Sequence, residues 1–147
     1  MKYFASLLVL VLVASSGCKP STNSQAKSNK EVVKDFFEEC YNKKNYKYVM
    51  DFFAKDYFEH RDNGARTNQD AFTILQSAEQ VFPDLSVKIE DLVEEDDLIA
   101  IRLTFNATHK GTFLGIEATN KNITWEAMEF FRIKDGMNRI VGKLAAS

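Results

Sequence analysis

Three side chains have the chemistry to move a proton or hold a polar ligand group: Glu129, His109 and His60. The last two are the only histidines in the chain. Glu129 lies in an alternating stretch, Asn122 to Ile133, on the face that also carries Trp125, Ala127, Phe131 and Ile133. A carboxylate on an apolar face must be paired, hydrogen-bonded or neutral. Loss of water disfavours charge, which is how a carboxyl group comes to exchange protons near neutral pH. Glu129 is therefore a candidate general acid or base, and equally a candidate for a structural ion pair with an arginine such as Arg102. His109 ends the apolar face of a second alternating run, Leu98 to His109, where it can line a pocket with Glu129 or simply bond a backbone carbonyl. His60 precedes the turn Asp62-Asn63-Gly64 and is either a surface residue or a third wall of the same cavity. Glu59, His60 and Asp62 match no strong ligand spacing, so no metal is expected. The chain has no glycine-rich phosphate loop, serine nucleophile elbow or Cys–His dyad of known spacing, and no cofactor is expected.

These residues have to be positioned by the elements around them. Val33, Phe36, Phe37, Cys40 and Tyr41 recur at helical spacing, predicting a helix over Asn29 to Lys43, capped by Ser28 or Asn29. A second short helix is predicted over Tyr46 to Phe53, with Val49, Met50 and Phe53 inward, then an extended piece from Asp56 to Arg61. A third helix runs from Asn68 to Phe82, with Asn68 as its cap, and Pro83 stops it. After Pro83 the period changes to two: Leu85, Val87 and Ile89 form one face of a strand. The long strands Leu98 to His109 and Asn122 to Ile133 flank a loop, and a last strand follows Asp135-Gly136. Helices first and an antiparallel sheet after them mean an α+β fold. Three amphipathic helices on a curved sheet make a cone, and an incompletely filled cone is a pocket.

The start of the chain has a different composition. Lys2 followed by the apolar run Phe4 to Ala14 reads as an export signal, too short for a permanent bilayer helix. Ser15-Ser16-Gly17-Cys18 resembles a lipobox, which predicts a signal peptide over 1–17, lipidation at Cys18 and residence at the cell envelope on the periplasmic or extracellular face. Residues 18–28 are polar and read as a flexible tether, leaving 29–147 as one domain. With Cys18 lipidated, Cys40 has no intrachain partner and reads as a small buried hydrophobe. A net charge of −2 without a basic cluster argues against nucleic acid as the partner. The membrane is then reached only through the lipid. Twelve phenylalanines and five tyrosines suggest a well-filled interior or an aromatic-lined cavity.

Several phrases in the second half carry a family resemblance. Phe82-Pro83-Asp84-Leu85 leads into a strand, Thr108-His109-Lys110-Gly111-Thr112-Phe113-Leu114-Gly115-Ile116 follows the first long strand, and Phe130-Phe131-Arg132-Ile133-Lys134-Asp135-Gly136 ends the second. With Tyr57-Phe58-Glu59-His60 upstream, this order resembles the SnoaL-like polyketide (ester) cyclases of the nuclear transport factor two-like superfamily, over about Asn29 to Leu144. The resemblance implies a cone pocket with an acid/base carboxylate at Glu129 and histidines at His109 and His60. It also implies an exposed sheet face able to form a homodimer, with Thr104, Thr124, Glu126 and Arg132 on it. The chain departs from the pattern in three places. Glu129 replaces an aspartate, Leu144 stands where a tryptophan is common, and Ile116-Glu117-Ala118-Thr119-Asn120 replaces a Pro-Thr-Gly turn.

Two functions follow as expectations. In one, a carbonyl-bearing apolar molecule enters the cone, Glu129 moves a proton beside the carbonyl, and His109 stabilises the oxyanion, giving cofactor-independent cyclisation, isomerisation or hydrolysis. In the other, the cone binds a small apolar molecule without chemistry. Trp125, Phe131, Phe105 and Phe113 are the expected ligand contacts in both.

Overall fold

The computed structural model describes residues 27–60 and 67–144. The expected signal segment, Cys18 and most of the expected tether lie outside the described residues. Helix α1 spans Asn29–Phe37, and Ser28 and Glu31 form a capping box at its start. The helical stretch continues as a π-turn, Glu38–Asn42, in which Lys43 N–H donates to Glu38 O at 2.9 Å. A 3-10 turn, Tyr46–Tyr48, leads into the single turn α2, Val49–Phe52. The tighter turn shifts the helical phase: Val49 and Phe52 are buried, while Met50, expected inward, is exposed.

Strand β1 runs Phe53–His60, starting earlier than the period suggests. Helix α3, Asn68–Val81, is capped by Thr67, whose hydroxyl accepts from Asp70 N–H, rather than by Asn68. Strands β2 (Ser86–Glu95), β3 (Leu98–Thr108), β4 (Asn122–Lys134) and β5 (Met137–Leu144) complete one sheet, in the order β1-β5-β4-β3-β2. All neighbours are antiparallel except β1 and β5, which are parallel. The architecture is the expected α+β class of helices on a mainly antiparallel sheet.

The apolar stripe of α1 and the inner face of the sheet form one core. Phe36 stacks on Phe52 with centroids 4.1 Å apart and meets Phe37 edge-on at 5.1 Å. Phe131 of β4 closes this group from the sheet side, 5.8 Å from Phe37 and 5.7 Å from Phe52. Edge-to-face aromatic contacts add to the burial that holds helix to sheet. The outer face of the sheet carries polar pairs instead: Arg102 with Asp91, Thr104 with Glu90 and Thr124 with Asn106.

Candidate functional site

The Phe-Pro-Asp-Leu and Thr-His-Lys-Gly phrases, 26 residues apart from Phe82 to Thr108, meet in space. Pro83 sits second in a turn that Leu85 N–H closes onto Phe82 O at 3.1 Å. Asp84 accepts two hydrogen bonds from Thr108, one from the backbone N–H at 2.7 Å and one from the hydroxyl at 2.6 Å. Beyond His109, the N–H groups of Lys110 and Gly111 both donate to Val81 O, at 2.8 and 3.2 Å. This draws the loop against the end of α3. A Cβ at Gly111 would lie 2.6 Å from Gln80 O, so the close approach requires glycine.

The loop then folds back on itself. Phe113 and Ile116 exchange two backbone hydrogen bonds of 2.9 Å, with Leu114 and Gly115 both at positive φ, as a two-residue hairpin turn demands. Leu114, at the tip, is 86% exposed. The chain returns past His109: His109 N–H donates to Lys121 O at 3.0 Å, and Asn120 N–H donates to His109 O at 2.9 Å. On this returning limb Asn120 takes the left-handed conformation at φ 54°.

An apolar cleft of about 700 Å³ opens between this loop and the β3–β4 end of the sheet, walled by Phe82, Phe113, Ile116, Ile123 and Trp125, with His109, Thr119 and Lys121 among its lining. Trp125, 37% exposed, lies nearly parallel to Phe105 at 5.2 Å and tilted against Phe82 at 5.9 Å. His109 is only 7% exposed. Its Nδ1 is 3.2 Å from the Thr119 hydroxyl, which itself accepts from Lys121 N–H at 3.4 Å. The ring's tautomer sets the role of its other nitrogen: with the hydroxyl donating to Nδ1 the proton sits on Nε2, and with Nδ1–H donating to the hydroxyl Nε2 is an acceptor. Nε2 is buried and finds no hydrogen-bond partner among the described residues. It is therefore a desolvated ring nitrogen of a residue that lines an apolar cleft, and in the Nε2–H tautomer a carbonyl or carboxylate oxygen would satisfy it.

Of the expected ligand contacts, Trp125 and Phe113 line the cleft. Phe105 lies beneath Trp125 as its support. Phe131 is 1% exposed within the phenylalanine core and is not among the cleft's lining residues. Glu129 is 3% exposed on the apolar face, as its alternation predicts, but the ladder pairs it with Ile101 and Lys143. His109 stands eight residues further along the β3 strand line, which is about 26 Å of extended chain. Glu129 and His109 thus stand at different levels of the sheet, and Glu129 is not among the residues lining this cleft. Arg102 does not pair with Glu129 either: it sits opposite Met128 and binds Asp91 at 2.7 Å. His60 pairs with Gly142, which pairs with Phe130, so its backbone lies two strands from the neighbourhood of Glu129. The side chain of His60 lies outside the described residues.

Cys40 is fully buried, and burial pushes its thiol up to about 12, which makes it a core residue rather than a nucleophile. Among the described residues, no three His, Cys, Asp or Glu side chains cluster as metal ligands would. Phe82, Ile116, Thr119, Lys121 and Ile123 are among the cleft residues that sequence reasoning missed. The Phe-Pro-Asp-Leu phrase carried a signal for Phe82. Thr119 and Lys121 lie on the returning limb of a loop, where no period operates.

The model of the SnoaL-like polyketide cyclases matches residues 31–144. Among curated proteins no sequence matches. Solved structures share the fold. AclR of Streptomyces galilaeus superposes with a TM-score of 0.73 at 21% identity, over 80% of this chain and 88% of that one. TsrD of Streptomyces laurentii gives 0.71 at 22%, over 78% and 85%. A SnoaL-like polyketide cyclase of Agrobacterium tumefaciens gives 0.71 at 16%, over 82% and 93%.

Proposed function

Because the chain belongs to the SnoaL-like polyketide cyclase family, we propose that it binds a small apolar molecule bearing a carbonyl-type oxygen, in the cleft between His109 and Trp125. The observation that carries this reading is His109 Nε2, a buried ring nitrogen without a partner among the described residues, on a residue that lines the apolar cleft; the Nε2–H tautomer makes it a donor to the ligand oxygen. Burial of such a group costs about 1–3 kcal/mol unless something bonds to it, and a ligand oxygen would recover that cost. Trp125, backed by Phe105, offers a flat surface for the apolar body of the ligand. Trp125 is also the only tryptophan in the chain. Titration with an aromatic ketone such as 2-acetonaphthone is expected to quench its fluorescence saturably, and Trp125→Ala to weaken binding by calorimetry by about 1–3 kcal/mol. Equal affinity in Trp125→Ala counts against the cleft.

Glu129 supports a second reading of the same domain, as a cofactor-independent cyclase or isomerase. The supporting observation is its burial on an apolar face. Once a substrate is found by screening, Glu129→Gln is expected to lower kcat by about 10²–10⁴-fold. Unchanged turnover leaves the non-catalytic binding module as the account.

The proposal includes the N-terminal segment. Export over residues 1–17 and lipidation at Cys18 would hold the domain at the cell envelope. Cys18→Ser should then move the protein from the membrane to the soluble fraction, and an unchanged membrane fraction would count against the anchor. The polar outer face with Thr104, Thr124, Glu126 and Arg132 is proposed as a homodimer contact, which sedimentation of Thr104→Arg against the unaltered protein would test.

A further inference from the structure

We propose that the cleft selects apolar carboxylates over neutral carbonyl compounds, an inference that rests on the cleft's being the ligand site. The cleft's lining contains one charged residue, Lys121, and no carboxylate. Lys121 and Asn120 together oppose His109, as in a β-bulge: Lys121 O accepts the His109 backbone N–H at 3.0 Å, and Asn120 N–H donates to His109 O at 2.9 Å. The acidic side chains nearest in sequence are engaged elsewhere: Glu117 accepts from the Thr112 hydroxyl at 3.1 Å, Asp84 is held by Thr108, and Glu126 faces Arg102 at 3.8 Å. A neutral carbonyl satisfies Nε2 of His109 and leaves the lysine to solvent. A carboxylate has two oxygens, one for Nε2–H and one for the ammonium, while its apolar body lies against Trp125. Both contacts are then charge-assisted, and such bonds are roughly twice as strong as neutral ones.

The test is a pair of titrations followed by quenching of the single tryptophan, with 2-naphthoate and 2-acetonaphthone, which share a ring system and differ in the polar head. The expected result is a Kd about ten-fold lower for 2-naphthoate at low ionic strength, a preference that shrinks as salt is added. Lys121→Gln should bring the two Kd values within about two-fold of each other, with most of the change in the naphthoate's. Ketone binding as tight as naphthoate binding overturns the selectivity and leaves the cleft standing. A ten-fold preference that survives in Lys121→Gln removes the lysine's part. If neither compound quenches Trp125, the cleft reading itself fails.

Discussion

Asp84 holds Thr108 at two points, taking its backbone N–H at 2.7 Å and its hydroxyl at 2.6 Å. The contact joins the turn after α3 to the last residue of β3, immediately before His109. Both bonds go to the ionised carboxyl and hold it below the usual aspartate range. Asp84→Ala is expected to speed hydrogen exchange at Thr108 and to weaken ligand binding in the neighbouring cleft, with the fold retained. The sign with pH follows from the lowered value: the contact is fully present above the ordinary carboxylate pKa and is lost as pH falls through the depressed one. NMR titration of the Thr108 amide reads both effects, and an amide indifferent to Asp84→Ala would show that the Asp84 contact does not hold the end of β3.

Gly111 tests the other side of the same junction. An added methyl meets Gln80 O at 2.6 Å and Val81 Cα at 3.0 Å, both backbone atoms that cannot swing aside. Gly111→Ala is therefore expected to cost about 1–3 kcal/mol in denaturant unfolding. Gly115→Ala, at φ 79° with open space around it, strains the backbone but meets no atom. The two variants separate crowding from conformational strain. A neutral Gly111→Ala would mean that the loop stands further from α3.

Alternation in sequence identifies the face of a strand but not the level along it. Trp125, Glu129 and Phe131 were rightly placed on one face, yet the ladder puts Trp125 beside Phe105 and Glu129 beside Ile101, at different depths of the core. Register, set by the length of the Lys110–Lys121 return, decides which side chains meet, and no local period encodes it. The same limit explains β1 and β5. Their parallel pairing joins residues about eighty apart, and neither strand's pattern names its partner. Helix α1 was legible because its stripe Val33, Phe36, Phe37 and Cys40 is local, whereas the π-turn over Glu38–Asn42 was not, because it keeps Cys40 buried within the same stripe. His109 was legible as the end of an apolar face. Its partner Thr119 was not, because the contact depends on how the loop returns.

Cys40 and Tyr46 predict alkaline behaviour. Burial raises the Cys40 thiol to about 12, and burial, with the Glu79 carboxylate as the next cause, raises the Tyr46 phenol to about 12. For a raised pKa the stabilising contribution is complete below the unfolded value and is lost as pH rises through the folded one. Stability should thus fall between the ordinary thiol value, about 9, and about 12. Denaturant midpoints across this range check it, and Cys40→Ala and Tyr46→Phe should each flatten the decline. In Cys18→Ser protein the remaining thiol should resist alkylation at neutral pH until denaturant is added. Fast native labelling would contradict its burial.

Phe131 and Trp125 share a strand face and were expected to share a role, and paired substitutions separate them. Phe131 is surrounded by Phe36, Phe37 and Phe52. Phe131→Ala should leave a cavity and cost about 3–5 kcal/mol of stability, while the affinity of the folded fraction for 2-acetonaphthone stays near that of the unaltered protein. Trp125→Ala should behave in the opposite way. Its ring is already more than a third exposed, so less is lost on truncation, but the flat wall of the cleft disappears. Unfolding by urea and calorimetric binding, measured on both variants, give four numbers. The crossed pattern places ligand recognition at the His109 end of the sheet. A Phe131→Ala variant that folds stably and loses binding would move recognition into the cone beside Glu129, and with it the case for acid/base chemistry there.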